Sequence, residues 1–284
     1  MPCPFNRILL ATEGTEFDTG AEQVSIALAA SCDAPLMGVL PLVSNTEYEI
    51  MAPELEEKAE AESAAKVDKI KQAAMTQGVE FLGNVRLGET PYLEIVNEAK
   101  EKQAEVIVVR RRGKRSFLAN LFMGEMVHTV TGNAPCDVLI VPKAAKLWSR
   151  GIVLATDNSP QSQRATQVAA AMANHYGLPI TVVSVVEQRD GKGTNEGTAK
   201  ETLEQTLEKI QATGAQATGD VITDGKPAKV ILKVAEETGA DLIVIGRRGI
   251  NRVERILVGS TSESVASHAS CPVLIIRQNP PGII

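Results

Sequence analysis

Aromatic residues are scarce: Phe, Trp and Tyr together make up 3% of 284 residues. A protein that holds single-stranded nucleic acid by base stacking needs more of them, so that class is set aside. A basic excess is missing as well. The formal net charge is −6, which argues against a general nucleic-acid or membrane-surface binder. Cysteine is sparse and scattered, with Cys3, Cys32, Cys136 and Cys271 forming no CxxC pair. Neither a zinc site nor a disulfide framework is indicated, and reduced thiols are expected. No apolar run approaches the ~20 residues of a membrane span. The opening MPCPFNRILLATEG has no basic stretch leading into an apolar run. No secretory signal is therefore expected, and a cytoplasmic location fits best. His128, His175 and His268 are far apart, at no metal-binding or triad spacing. No Walker-type Gly-x4-Gly-Lys-Ser/Thr occurs.

What is present is an ordinary globular composition, 44% apolar and 23% charged, and a chain that reads twice. NRILLATEGTEFDTGAEQVSIALAA returns as RGIVLATDNSPQSQRATQVAAAMAN, AEVIVVRRRG as ADLIVIGRRG, and NAPCDVLIVP as HASCPVLIIR. The offset is 144 at Thr12/Thr156, 136 at Gly113/Gly249 and 135 at Cys136/Cys271. So long and steady a period marks two whole domains rather than a solenoid. They are assigned to residues 1–143 and 149–284, with the seam in PKAAKLWSR, where Trp148 is expected to pack between them. The first copy is longer in its middle, through a charged stretch around MAPELEEKAEAESAAKVDKIKQAA that reads as an exposed helix.

Each copy alternates short β-branched runs with helical patterns. In the second, strands are expected at Ile152–Ala155, Ile180–Val186, Ala217–Ile222, Leu242–Ile245 and Val273–Ile276. A helix is expected over Gln161–His175, with Ser159 as N-cap, Pro160 at its first position and Gly177 just past its end. Thr15 and Asp18 show capping-box spacing in the first copy. Near-continuous apolar strands alternating with helices imply an α/β fold, a parallel sheet covered on both faces. Ligands bind such sheets beyond the carboxyl ends of the strands, where the winding reverses.

The stretch GRRGINRVERILVGSTSESV begins at that point, directly after DLIVI. Gly246 and Gly249 are two residues apart, nine residues follow, then come Gly259 and Ser260. Glycines let backbone approach phosphate oxygens, and a helix starting at Ser260 would offer free N–H groups and a positive dipole end. The hydroxyls of Ser260, Thr261 and Ser262 could add donors. Taken singly, these glycines read first as turn residues and Ser260 as an N-cap.

The full pattern resembles the universal stress protein family, specifically its tandem two-domain members, over both halves of the chain. The ATP-binding branch carries Gly-x2-Gly-x9-Gly-Ser/Thr, matched by Gly246, Gly249, Gly259 and Ser260, an Asp after the first strand, matched by Asp157, and a closing strand like SCPVLII. The resemblance implies two Rossmann-like domains of the adenine nucleotide alpha hydrolase type. Each would be a five-stranded parallel sheet of order 3-2-1-4-5, with the closing strands Val138–Val141 and Val273–Ile276 paired antiparallel across the interface. It implies an adenine-nucleotide site in the second domain built from Ala155, Thr156, Asp157, Val185, Ile245, Gly246, Arg248, Gly249, Gly259, Ser260, Thr261 and Ser262. Asp157 would serve the adenine or ribose end and Val185 the adenine. The implied cofactor is ATP, with Mg2+ left open, and the implied function is a nucleotide-dependent stress-response module. Slow adenine-nucleotide hydrolysis on the same scaffold and a scaffold with a non-nucleotide ligand stay open. So does homodimerisation beyond the intramolecular pair of domains. No general base is legible, so at most slow hydrolysis is expected.

At the aligned positions the first copy presents Glu13, Pro41, Arg110, Gly113, Gly124 and Glu125, with ten residues rather than nine between its glycines. Proline has no N–H to give adenine, and a carboxylate at a helix N-terminus competes with phosphate. This copy is expected to carry no ATP. The cluster RRRGKR, Arg110 to Arg115, reads as a solvated loop, with a different anion or a partner's acidic patch as the alternative.

Overall fold

A computed structural model describes residues 3–44, 53–111, 124–186, 196–249 and 258–278. The chain divides into two compact units, one built on Phe5–Arg115 with Gly124–Leu147, the other on Trp148–Asn279.

The first domain runs β1 (Ile8–Ala11), α1 (Thr19–Ser31), β2 (Leu36–Val43), α2 (Pro53–Met75), β3 (Phe81–Gly88), α3 (Pro91–Glu101), β4 (Val106–Arg110), α4 (Glu125–Asn133) and β5 (Asp137–Val141). The second runs β6 (Ile152–Thr156), α5 (Pro160–Tyr176), β7 (Ile180–Val185), α6 (Glu196–Gln211), β8 (Ala217–Ile222), α7 (Pro227–Thr238), β9 (Leu242–Gly246), α8 (Ser260–His268) and β10 (Val273–Ile276). All pairings within each domain are parallel, in the order β3-β2-β1-β4-β5 in the first and β8-β7-β6-β9-β10 in the second. This is the doubly wound 3-2-1-4-5 topology, and its switch point falls between β1 and β4, and between β6 and β9.

Burial follows the sequence. Every residue of β1, β5, β6, β9 and β10 is buried, because helices cover both faces of a parallel sheet. The outermost strands β3 and β8 instead alternate buried or half-buried with exposed positions over much of their length. In the first domain the Phe81 ring lies against Gly38 and Gly83, where an added Cβ would meet it at 2.3 and 2.4 Å. The charged helix α2 buries Ser63, Ile70 and Ala74 and exposes most of its remaining positions, the narrow stripe of a surface helix. Arg86 on β3 gathers three carboxylates of α3, at 3.0 Å from Glu94, 2.7 Å from Glu98 and 2.8 Å from Glu101.

Helix termini form largely as the local chemistry dictates. Ser159 caps α5, its Oγ accepting from Ser162 N at 3.2 Å, with Pro160 first in the helix and Gly177 left-handed at φ 67° past its end. The capping box of the first copy is only half formed. Asp18 Oδ2 accepts from Thr15 N at 2.9 Å and Thr15 Oγ1 at 2.5 Å, but Asp18 itself is the N-cap of α1, with no side-chain cap bond. Trp148 is buried, edge-to-face on Tyr176 with centroids 5.6 Å apart. The expectation of four reduced thiols is corrected: Cys3 and Cys32 are disulfide-bonded, while Cys136 and Cys271 are free and buried. Among the described residues no helix is long and apolar enough to cross a membrane.

Candidate functional site

In the second domain the carboxyl ends of β6 and β9 lie side by side, in a register that places Ala155 against Ile245. Beyond them the chain turns sharply. Asn158 is left-handed at φ 63°, a conformation that Asn tolerates better than most residues. The turn is held by Asp157 Oδ1, which accepts from Ser159 N at 3.0 Å. The other carboxylate oxygen points across to the glycine loop: a Cβ on Gly249 would lie 2.5 Å from Asp157 Oδ2. A side chain at Gly249 would have to displace that carboxylate oxygen.

The remaining glycines have different reasons. Gly246 is buried, and its missing Cβ would meet Gln161 Cβ at 3.0 Å and Ser162 N at 3.4 Å. It brings the start of α5 close to β9 rather than opening backbone to a ligand. Gly259 adopts ordinary extended angles, φ −68° and ψ 145°. Its N–H donates to Arg247 O at 2.8 Å, and an added Cβ would stand 3.2 Å from that same oxygen. The two ends of the motif thus close on each other, and a side chain at Gly259 would press on the loop.

Helix α8 then starts at Ser260 with no side-chain cap bond at Gly259. The first-turn N–H groups have no intrahelical partner, and of the residues there Ser260 is exposed and Thr261 half-buried. Ser262 behaves otherwise. It is buried, and its Oγ donates to Gly246 O at 2.6 Å, pinning helix to strand, so its hydroxyl proton is already used. Thr156 is buried too, with Oγ1 3.4 Å from Ser162 Oγ. Val185 is half-buried at the end of β7, paired with Ile222 of β8. Arg248, half-buried, carries a buried Nε with no hydrogen-bond partner among the described residues. The residues expected to form a site are thus assembled at one end of the sheet. Residues 250–257 of the loop lie outside the described residues.

The corresponding end of the first domain is filled. Arg110, 12% exposed, places Nη2 2.6 Å from Glu13 Oε2 and Nε 3.1 Å from Asp18 Oδ1, whose side chain is 1% exposed. The expectation of a solvated arginine run is corrected at this position. Arg112 to Arg115 lie outside the described residues, as do Gly113 and the ten-residue spacing. Glu13 O also accepts from Lys66 Nζ at 3.2 Å. What remains is a cavity of about 20 Å³ whose lining includes Thr12, Glu13, Pro41, Ile95, Arg110 and Met126, room for about one water. Nearby, Glu22 accepts from Thr12 Oγ1 at 3.0 Å. Burial raises its pKa above the usual carboxylate range, Asp18 adds to that, and the Thr12 bond and Lys69 oppose it.

A pair of equivalent carboxylates at the other end of the sheets escaped the sequence reading. Asp241 accepts from Ser149 N at 2.8 Å, Arg150 N at 3.0 Å and Gly151 N at 3.2 Å. Glu105, its counterpart 136 residues earlier, accepts from Asn6 N at 2.7 Å. Each fastens the chain entering the first strand of its domain.

A doubly wound α/β domain present twice, with a glycine-rich crossover at the switch point of the second copy, defines a tandem Rossmann-like protein. The model of the universal stress protein family matches residues 4–142 and again 149–277, and the chain belongs to that family. A Thermus aquaticus relative, "Universal stress protein in QAH/OAS sulfhydrylase 3'region", is 37% identical over 134 residues, 44% of this chain and 97% of that one. The crystal structure of a universal stress protein from Archaeoglobus fulgidus DSM 4304 superposes with a TM-score of 0.80 over 97% of this chain and 100% of that one. At 20% identity it is a likeness of fold.

Proposed function

We propose that the second domain binds ATP, one molecule per chain, and that the protein is a nucleotide-dependent stress-response module. The domains are placed at 1–143 and 149–284, the first with a degenerate site and the second with an intact one. The observation that carries this reading is the Asp157 carboxylate, whose Oδ2 stands 2.5 Å from where a Cβ on Gly249 would be, beside a helix N-terminus with no side-chain cap bond at Gly259. The carboxylate is an acceptor suited to ribose or adenine. The α8 N–H groups, the Ser260 and Thr261 hydroxyls and the Arg248 guanidinium are donors suited to phosphate. Acceptor and donors stand side by side, as the two ends of a nucleotide require. Ser262 supports the site from beneath by holding α8 to β9. Mg2+, where it accompanies ATP, would be carried chiefly by the phosphates, as is usual for this ion.

Hydrolysis is expected to be slow or absent, well below the ~10 s⁻¹ of typical enzymes. Identification of nucleotide co-purifying with the intact chain, followed by calorimetric titration with ATP, tests the proposal. ATP that binds the wild type and binds Asp157→Ala more weakly supports it; a folded chain with no affinity for adenine nucleotides refutes it.

A further inference from the structure

β3 is the outermost strand of the first domain, and among the described residues of that domain it pairs only with β2. Leu36 N donates to Glu80 O at 2.9 Å and Ser44 N to Gly88 O at 3.2 Å. By strand alternation the even-numbered residues of β3 turn their backbone groups to β2. Phe81, Gly83, Val85 and Leu87 turn theirs outward. Such an edge is a template for another strand unless charge, proline or a bulge blunts it. The equivalent strand of the second domain, β8, carries exposed Asp220. The one charge on β3 is Arg86, drawn onto Glu94, Glu98 and Glu101 of α3. β3 instead exposes Leu82 and Leu87, and every exposed large apolar side chain among the described residues belongs to the first domain.

The helix beside that edge is prepared in the same way. In α2, Glu57, Ala61, Ala64, Asp68, Lys71 and Met75 recur at three- and four-residue spacing, hence on one face, and all are exposed. The buried stripe of this helix is Ser63, Ile70 and Ala74. On one flank of it Lys66 reaches Glu13 O, at the end of β1. The exposed stripe lies on the opposite flank and looks past β3. Val67 lies level with Gly83, where an added Cβ would meet Val67 Cγ1 at 3.0 Å.

A two-fold axis perpendicular to the sheet at Asn84 would set β3 antiparallel to β3 of a second copy. Gly83 then faces Val85 of the second copy, and Phe81 faces Leu87, all residues whose backbone groups turn outward. Leu87 gains the Phe81 ring as neighbour, and Leu82 the aliphatic stem of Arg86. One strand residue beyond Gly83 is ~3.3 Å, or about two helix residues back from Val67. The same axis therefore passes close to Ala64. Glu57 and Lys71 stand seven residues to either side of Ala64, so Glu57 of each copy meets Lys71 of the other. The small Ala61 and Ala64 between them let the two helices approach.

We propose that β3 and α2 form a two-fold interface with a second copy of this chain, joining two first domains through one continuous sheet. The surface complements itself in backbone hydrogen bonding, apolar contact and charge about one axis, which is what a second copy requires. This inference is independent of nucleotide binding.

Sedimentation velocity of the full chain over a wide concentration range tests it, with circular dichroism and thermal unfolding to establish that each variant is folded. The wild type should show a concentration-dependent monomer–dimer equilibrium. Val85→Pro removes an outward N–H, a change that edge strands tolerate, and should abolish the dimer. Lys71→Glu should raise the dimer dissociation constant about fivefold, and the double variant Glu57→Lys with Lys71→Glu should restore it. Should Val85→Pro fail to fold, Ala64→Arg, at an exposed helix position, carries the same test and should weaken the dimer at least about tenfold. A wild type that stays monomeric up to its highest soluble concentration leaves the edge to a different protein or to none, and overturns the inference. A dimer that survives Val85→Pro or Ala64→Arg uses another surface, and a charge swap that fails to rescue means that Glu57 and Lys71 do not meet; either result also overturns it.

Discussion

In the first domain the residue that ends β4 is Arg110, paired with Glu13 and Asp18; in the second, the residue that ends β9 is Gly246, bare enough for α5 to pack against it. The consequence reaches the next helix. α5 begins at Pro160 behind a Ser159 cap, whereas α1 begins at Thr19, three positions later in the aligned copies. Asp18 in the first copy is turned toward Arg110 and back to Thr15 instead of capping a helix that starts earlier. At the opposite ends of the sheets the copies agree, with Glu105 and Asp241 each fastening the entry to the first strand. The two domains thus share how the sheet is anchored and differ where a ligand would sit. The first domain fills that end with an arginine and two carboxylates of its own chain.

The largest effect expected from breaking this arrangement is on stability. Arg110→Ala leaves the buried Asp18 without its cation, and losing one partner of a buried ion pair costs about 3 kcal/mol. Denaturant unfolding should show that loss, while ATP affinity stays at the wild-type value. A loss well under 1 kcal/mol would mean the ion pairs do not hold the first domain's crevice shut.

Next in size is Gly259→Asp, which sets a side chain against Arg247 O and a negative charge before the N-terminus of α8. ATP affinity measured by calorimetry should fall at least tenfold, roughly 1.4 kcal/mol; an unchanged value in a folded variant would remove the glycine motif from the site.

Asp241→Asn should destabilise the second domain by about 1 kcal/mol near neutral pH, because three N–H donors lose an ionised acceptor. Burial pushes this carboxyl up, but the N–H groups of Ser149, Arg150 and Gly151, helped by Arg150, prevail and hold it below its ordinary value. A carboxylate depressed in the folded state contributes stability above its unfolded pKa of about 4 and loses it as the pH falls through the folded value. The gap between wild type and Asp241→Asn should therefore be open at pH 6 and close in strong acid. A pH-independent gap would assign the effect to packing. The smallest effect is a designed null: Asp157→Ala should weaken ATP binding several-fold, while Glu13→Ala leaves it nearly unchanged.

Much of the fold was legible because buried parallel strands are continuous apolar runs. Ile152–Thr156, Leu242–Gly246 and Val273–Ile276 lie within one residue of where the pattern put them, and Ser159, Pro160 and Gly177 carry their signals locally. The position of the glycine cluster was legible too, since such a cluster after a buried parallel strand can fall only at the carboxyl end of the sheet. The individual roles were not. That Gly246 admits α5, that Gly249 admits Asp157 and that Ser262 spends its hydroxyl on Gly246 O all depend on contacts across the fold. Local spacing carries no trace of those contacts. Arg110 is the sharpest case. It reads in sequence as part of a solvated run, but its partners lie 97 and 92 residues away, and Asp18 looked like part of a helix cap. The Glu105 and Asp241 anchors went unnoticed because each is a single acidic residue just before a strand.

The central claim is that one domain of the two receives a nucleotide, and the stoichiometry of ATP binding to the intact chain tests it most directly. Isothermal titration of a folded, nucleotide-free preparation should give one ATP per chain, with that site weakened at least tenfold in Gly259→Asp and retained in Arg110→Ala. Two equivalent sites, or a single site that survives Gly259→Asp and disappears in Arg110→Ala, would show that the first domain carries the function and that its arginine is a ligand rather than a plug.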